Sequence, residues 1–391
     1  MVGKNNIHSQ IIKPWKKSKK RFIPGLVLNE GFYHDLIKPI LDEHFPNLKY
    51  AACRIGPRSD VLGFDTYISM DHDWGPLAQI FLSEEDHFNH AEEIKRVLKE
   101  NLPTSYKGFP TNWTAPGSDN TRHPEFSPED PFNPILNIMT VRQFIKESLD
   151  FDYSQPVTLR DWFAFSEQEL LHIVVGKIFH NDLPELDEMR KYFNYYPEPV
   201  WLLRMYALWS AISEEQAFIG RCHDTGDELG ERLITARIVN KLMKLCFYLE
   251  RKYYPYSKWF GTGFSKLNCG QDLQPIFQKA LSAKSYKQRN QALCSAYLKV
   301  AEMHNALNIS TPVPVEIVNY YERGYKGLQT NNLMSALAEI ITPEILKELS
   351  LTKLDSNETR IFNIEPLLDD SNYTRTPTIL RKMLLELKLS V

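Results

Sequence analysis

Asp71 and Asp73 stand two residues apart near the end of the segment Gly56-Pro57-Arg58-Ser59-Asp60-Val61-Leu62-Gly63-Phe64-Asp65-Thr66-Tyr67-Ile68-Ser69-Met70-Asp71-His72-Asp73-Trp74-Gly75. In extended backbone both carboxylates point to the same side. Two like charges so placed repel unless a cation sits between them. Hard oxygen ligands at this spacing suit Mg²⁺, which completes its octahedron with phosphate oxygens and water. The Gly56 turn upstream can bring backbone N–H groups and Arg58 against those phosphates. A lone pair of this kind is ordinarily a pair of exposed loop carboxylates, so the case depends on the elements around it. His72, between the two, faces the opposite way in a strand and is a poor metal ligand there.

Those elements can be read from the pattern. Residues 50–55 form a short run of small and apolar residues, a strand that ends at Gly56. Residues 77–82 and 135–139 are a second and a third strand candidate, and Thr140 is placed to cap the helix after the third. Asn29 precedes a helical run with Leu36, Ile37, Ile40 and Leu41 on one face, where Pro39 bends or restarts the helix. Residues 90–101 have helical spacing through Ala91, Ile94, Val97 and Leu98. The stretch 103–134 is dense in proline, carries Trp113, Gly117 and Asn120, and is too long for a simple connection. It reads as a functional segment or a flap. Beyond it, strand pattern all but disappears. Residues 168–179, 199–213, 229–253, 286–307 and 333–349 read as helices, and the final helix falls at 379–389. The expected organisation is a basic arm over 1–27, a small mixed-sheet domain over 28–140 and an all-helical domain over 141–391. No internal repeat of fixed period is visible.

Composition narrows the function. The 391 residues are 43% hydrophobic, 12% aromatic and 24% charged, which excludes disorder, collagen or a coiled-coil array for the whole chain. A formal net charge of -3 is too balanced for a general nucleic-acid coat. No apolar run is long enough to span a membrane, and the basic start lacks the apolar core of a secretory signal. Five scattered cysteines without a CxxC argue against a disulfide scaffold or a zinc finger, and they fit a reducing cytoplasm. The arm carries Lys13, Lys16, Lys17, Lys19, Lys20 and Arg21. Such a cluster suits RNA or an acidic partner, and equally a solvated tail.

The segment around Gly56, Ser59 and Asp71-His72-Asp73 resembles the signature of the DNA polymerase beta-like nucleotidyltransferase superfamily. More closely, the chain resembles the bacterial family termed domain of unknown function 4037. The residues that carry this are Arg58-Ser59 to Asp65-Thr66, Ser69 to Pro76, Trp162, Gly176-Lys177-Ile178-Phe179-His180-Asn181-Asp182 and Tyr195-Tyr196-Pro197. They continue with Arg221, Gly226-Asp227-Glu228-Leu229-Gly230, Tyr254-Pro255-Tyr256-Ser257-Lys258-Trp259-Phe260-Gly261-Thr262 and His304-Asn305, so that roughly 28–310 is covered. The resemblance implies an α+β protein, a small mixed sheet bearing the catalytic carboxylates and a helical domain closing over a nucleotide. It implies transfer of a nucleoside monophosphate from an NTP, expected to be ATP, to a hydroxyl, with release of pyrophosphate and dependence on Mg²⁺ or Mn²⁺. Asp71 and Asp73 would bridge metal and phosphates, and Gly56, Arg58 and Ser59 would hold the triphosphate. The acceptor, whether small molecule, tRNA or protein, is not inherited.

Two positions depart from the superfamily. Pro57 follows the first glycine where serine or glycine is usual, which removes one backbone donor. Asn137 stands in the third strand candidate where a third carboxylate is expected. An amide can ligate a cation but cannot act as a base, and Glu125, Asp130 and Asp182 are the substitutes available. These departures keep a second reading open, a nucleotide-binding sensor without catalysis, and the basic arm keeps a third, a toxin-like transferase acting on tRNA or protein. Lys258 is either a phosphate contact or part of a packed corner. Arg221 and Arg237 bind triphosphate or, as buried charge requires, pair with Asp224, Asp227 or Glu231. His180 and Asp182 activate an acceptor or form a helix-end turn. Trp162, Trp201 and Trp209 read as core. Ser59 lacks a nucleophile elbow, and no Walker loop is present.

Overall fold

The computed structural model describes residues 22–117, 121–126, 132–349, 354 and 378. The basic residues 13–21, Asn120, Asp130 and the expected helix 379–389 lie outside the described residues. The N-terminal helical run is continuous over α1 (Gly25–Phe32), a wider π turn (Tyr33–Ile37) and α2 (Lys38–His44). Pro39 sits in the first turn of α2, where its missing N–H costs least. The i→i+5 turn lies immediately before it, so the helix restarts at the proline as the sequence suggests.

Strands β1 (Ala51–Arg54), β2 (Ala78–Phe81), β3 (Leu136–Met139) and β4 (Lys177–Asn181) form one mixed sheet in the order β3-β2-β1-β4. β1 is antiparallel to β2 and to β4, whereas β2 and β3 run parallel, with Gln79 opposite Asn137. The fourth strand corrects the expectation of a helix through 168–179. Helix α6 spans Glu167–Val174, stops short of Gly176, and the chain then enters the sheet. Gly176 adopts φ +84, and a Cβ there would lie 2.1 Å from the carbonyl oxygen of Arg54, so only glycine allows this approach to β1. The sheet thus runs across the boundary expected at residue 140. The later part is also not wholly helical, since Ile317–Asn319 and Lys326–Leu328 pair as a further two-stranded ribbon.

Alternation along the strands splits the core. Ala52, Ile80, Leu82 and Ile138 pack with Leu28, Phe32 and Leu41, and with Ile94 and Leu98 of α3 (Glu84–Asn101). Ala51, Cys53 and Phe81, on the other face, join Val141, Phe144 and Ile145 of α4 (Val141–Leu149) and the whole helical part. Helix α5 (Leu159–Ala164) adds Trp162 to this second core. At its centre lies Glu198–Glu215, buried almost all round, with Trp201 and Trp209 fully covered as expected. Thr140 caps α4 with a reciprocal Gln143 contact. All five cysteines are free. No helix among the described residues is long and apolar enough to cross a membrane.

Candidate nucleotide site

The Gly56 turn leaves β1 with φ +99, and its N–H donates to the carbonyl of His172 at 3.0 Å. Arg58 follows with φ +139, a backbone conformation that costs energy for any side chain other than hydrogen. Its Nη1 donates to the carbonyl oxygen of Asp73 at 2.7 Å, and its Nη2 lies 3.5 Å from Asp73 Oδ1. Burial and the neighbouring Arg54 lower the Arg58 pKa to about 10, so the guanidinium stays charged at neutral pH. Behind the turn, Arg54 grips Asp60 with two hydrogen bonds of 2.8 Å, both partners buried. Gln79 Oε1 accepts from the Ile55 N–H at 2.9 Å, which fixes the end of β1 against β2.

Asp71 and Asp73 are not on a strand, contrary to expectation. Residues Tyr67–Asp71 form a 3₁₀ turn with a Thr66–Ser69 capping box. Asp65 ties the segment down by accepting from the Gly25 N–H at 2.7 Å and from Trp74 Nε1 at 3.0 Å. Asp73 then adopts φ +50, a conformation aspartate tolerates. It exchanges two hydrogen bonds with Arg122: its N–H donates to the Arg122 carbonyl at 2.8 Å, and its Oδ1 accepts from the Arg122 N–H at 3.2 Å. Oδ2 of Asp73 remains uncommitted among the described residues. Asp71 is more exposed and turns to His72, whose Nδ1 is 2.9 Å from Asp71 Oδ1. His123 Nδ1 meets the Asp71 carbonyl at 2.9 Å.

A cavity of about 610 Å³ lies between the sheet and the helical part, and Gly56, Arg58, Asp73 and Asn137 all line it. Four of the residues singled out from sequence therefore come together. Four others do not. Asp71 and Ser59 are in the same loop but outside the cavity wall. Asp182 follows β4 at the opposite edge of the sheet from β3 and pairs with His180 at 2.7 Å, which is the turn-forming role. Lys258 rests over the Trp259 ring at 5.1 Å, in a packed corner. Glu125 is engaged by Asn112 at 3.1 Å, also outside the wall. Arg237 pairs with Glu215 at 2.8 Å, and Arg221 lies over the Phe218 ring at 5.5 Å.

The wall also holds residues that sequence reasoning passed over: Gln79, Glu147, Glu169, His172 and Tyr256. Glu147 matters most. It is an exposed carboxylate on α4, one turn beyond Phe144 and beside Ser148, which both line the cavity too. The available signal was the Thr140 cap directly after β3, which aims α4 off the strand that carries Asn137. Glu169 and His172 stand at i and i+3 on α6, both buried, 3.5 Å apart between Oε2 and Nδ1.

Among the described residues no three His, Cys, Asp or Glu side chains gather closely enough to hold a metal alone. The donor set is a hard-oxygen one, with Asp73 Oδ2 uncommitted and Asp71 two residues away. It fits a cation that takes one or two protein carboxylates and draws its other ligands from phosphate and water.

Residues 162–260 match the family described as domain of unknown function (DUF4037). The chain carries this domain. The DUF4037 stretch contributes Gln168, Glu169, His172 and Tyr256 to the cavity. A solved structure, the nucleotidyltransferase-like protein from Exiguobacterium sibiricum 255-15, is 10% identical, with 82% of this chain and 91% of its own covered at a TM-score of 0.28. That similarity is too slight to bear on the site. No curated protein matches the chain.

Proposed function

We infer that this chain transfers a nucleoside monophosphate from an NTP, with ATP the expected donor, to a hydroxyl acceptor, with Mg²⁺ or Mn²⁺ as cofactor. One observation carries the reading: a single cavity gathers the Gly56–Arg58 turn, the Asp73 carboxylate, Asn137 and Glu147. Gly56 and Arg58 supply the backbone and guanidinium donors that a triphosphate needs. Asp73, with Asp71 beside it, holds the cation, and Asn137 adds an amide oxygen. The bound cation offsets charge that builds on the leaving pyrophosphate and acidifies the attacking hydroxyl. Tyr256 and Phe144 supply ring faces for the base.

In this scheme the acceptor oxygen bonds to the α-phosphorus as the bond to the bridging oxygen breaks. Pyrophosphate leaves with that electron pair, and the acceptor proton passes to the Glu147 carboxylate. Glu147 thus takes the role that Asn137 cannot. A cytoplasmic setting remains part of this reading. Incubation of the full chain with labelled NTPs, Mg²⁺ and cell extract tests it: pyrophosphate release with a labelled acceptor is the expected result, and binding of ATP without any release overturns it. Pro57 and Asn137 favour a sensor as the second reading. Mg²⁺-dependent ATP binding without transfer in that experiment is its signature.

A further inference from the structure

A second cavity, of about 920 Å³, shares Arg58, Asp73, Asn137 and Glu147 with the first. The two therefore meet at the carboxylates. Apart from Arg58, the cations of its wall are Lys95, Arg96 and Lys99 of α3, together with Arg122. Lys95 and Lys99 are one turn apart on one helix face. Lys95 is shared with Glu92 at 2.7 Å and Arg96 with Glu100 at 2.9 Å, while Lys99 is unpaired among the described residues. Arg122 is locked to Asp73 by the two backbone hydrogen bonds described above. No aromatic ring lines this cavity.

In-line displacement places the incoming oxygen and the leaving group on opposite sides of the α-phosphorus. The first cavity, with the glycine turn and two ring faces, suits the nucleotide. The second, which opens on the other side of the same carboxylates, is left for the acceptor. Its wall is cationic and lacks stacking platforms, so it matches a phosphodiester backbone and not exposed bases. In the sequence the six cations of residues 13–21 immediately precede Phe22, which stacks on Trp74 with 6.2 Å between ring centroids. Trp74 is the neighbour of Asp73.

We propose that the second cavity binds the phosphate backbone of a single-stranded nucleic-acid end, whose terminal hydroxyl is the acceptor. This rests on the transferase reading above. The test uses the full chain, a short single-stranded RNA followed by fluorescence anisotropy over a salt series, and calorimetry of Mg²⁺–ATP. The double variant Lys95→Ala/Lys99→Ala should bind RNA roughly tenfold more weakly. Its log–log salt slope should fall by ~1.4, at ~0.7 for each phosphate of a single strand that the protein no longer neutralises. Its affinity for Mg²⁺–ATP should stay as in the wild type. Unchanged RNA affinity and slope in the variant overturn the proposal. So does loss of Mg²⁺–ATP affinity, which would put this wall on the nucleotide's own phosphates. Polyglutamate binding as tightly as RNA, with equal sensitivity to the variant, reassigns the groove to an acidic protein and overturns it too. Asp73→Asn separates the two readings: metal-independent ATP binding sinks the transferase reading, while salt-dependent RNA binding at the lysines is untouched by that result.

Discussion

At the residue scale, the cavity makes Asp73 and Glu147 do different things. Asp73 is held by Arg58 and by the Arg122 backbone and presents one uncommitted oxygen. Asp73→Asn should remove the Mg²⁺ dependence of ATP binding while thermal stability stays near the wild-type value, because Arg58 retains the Asn carbonyl and backbone contacts. Calorimetry with Mg²⁺ and with EDTA checks this. Glu147→Gln should leave Mg²⁺–ATP binding intact and slow pyrophosphate release by ~10²–10⁴-fold, the usual cost of losing a general base. Asp182→Asn, at the far edge of the sheet, should leave release unchanged. Equal losses in the two variants would return the base to Asp182. The sequence exposed Gly56, Arg58, Asp73 and Asn137 because a glycine turn, a charge and a strand register are local signals. Glu147 was invisible because its role comes from the direction of a helix relative to a sheet, which no spacing encodes.

At the element scale, β1, β2 and β3 were legible as short apolar runs bounded by glycine, and their observed limits differ from the expected ones by a residue or so. β4 was not. Its residues Lys177–Asn181 alternate weakly and follow directly on a helix, so the 3.6-residue period of α6 masks the switch. The carboxylate loop was misread for a related reason, since alternation over three residues cannot separate a strand from a 3₁₀ turn. The consequence is testable. Residues 1–140 lack β4 and leave Ala51, Cys53 and Phe81 without the helical part that covers them. That fragment should aggregate or bind an apolar dye, and it should not bind ATP. A soluble, nucleotide-binding fragment would show the strand to be dispensable. The Thr140 capping box offers a finer probe. Thr140→Ala should lower stability by about 1 kcal/mol, and turnover should fall along with it, because the cap sets the entry of the helix that carries Glu147. Chemical denaturation and pyrophosphate release measure the two effects separately.

At the scale of the whole molecule, two buried groups in the helical part titrate against each other. Glu167 on α6 is covered completely and accepts from Tyr248 at 3.0 Å, Tyr196 at 3.1 Å and the Tyr254 N–H at 3.2 Å. Burial outweighs these bonds and the nearby Arg204 charge, and it lifts the Glu167 pKa from 4.5 to about 7. The folded state therefore holds a proton that the unfolded chain releases. The stability this gives is complete below about pH 4.5 and is lost as pH rises through about 7. His304 runs the other way. Its Nδ1 accepts from Trp209 Nε1 at 3.3 Å, and burial lowers its pKa from 6.5 to about 4. Its contribution is complete above about pH 6.5 and is lost as pH falls through about 4. The windows overlap and the slopes oppose, so these two groups leave the wild-type chain with little net dependence between pH 4.5 and 6.5. Removing either one should uncover the other. Thermal midpoints of Glu167→Gln should rise as pH goes from 5 to 6.5, because His304 acts alone, and those of His304→Leu should fall over the same range, because Glu167 does. The slope is the readout, so a general loss of stability in either variant does not obscure it. Profiles parallel to the wild type in both variants would show that neither burial governs the folding of the helical part.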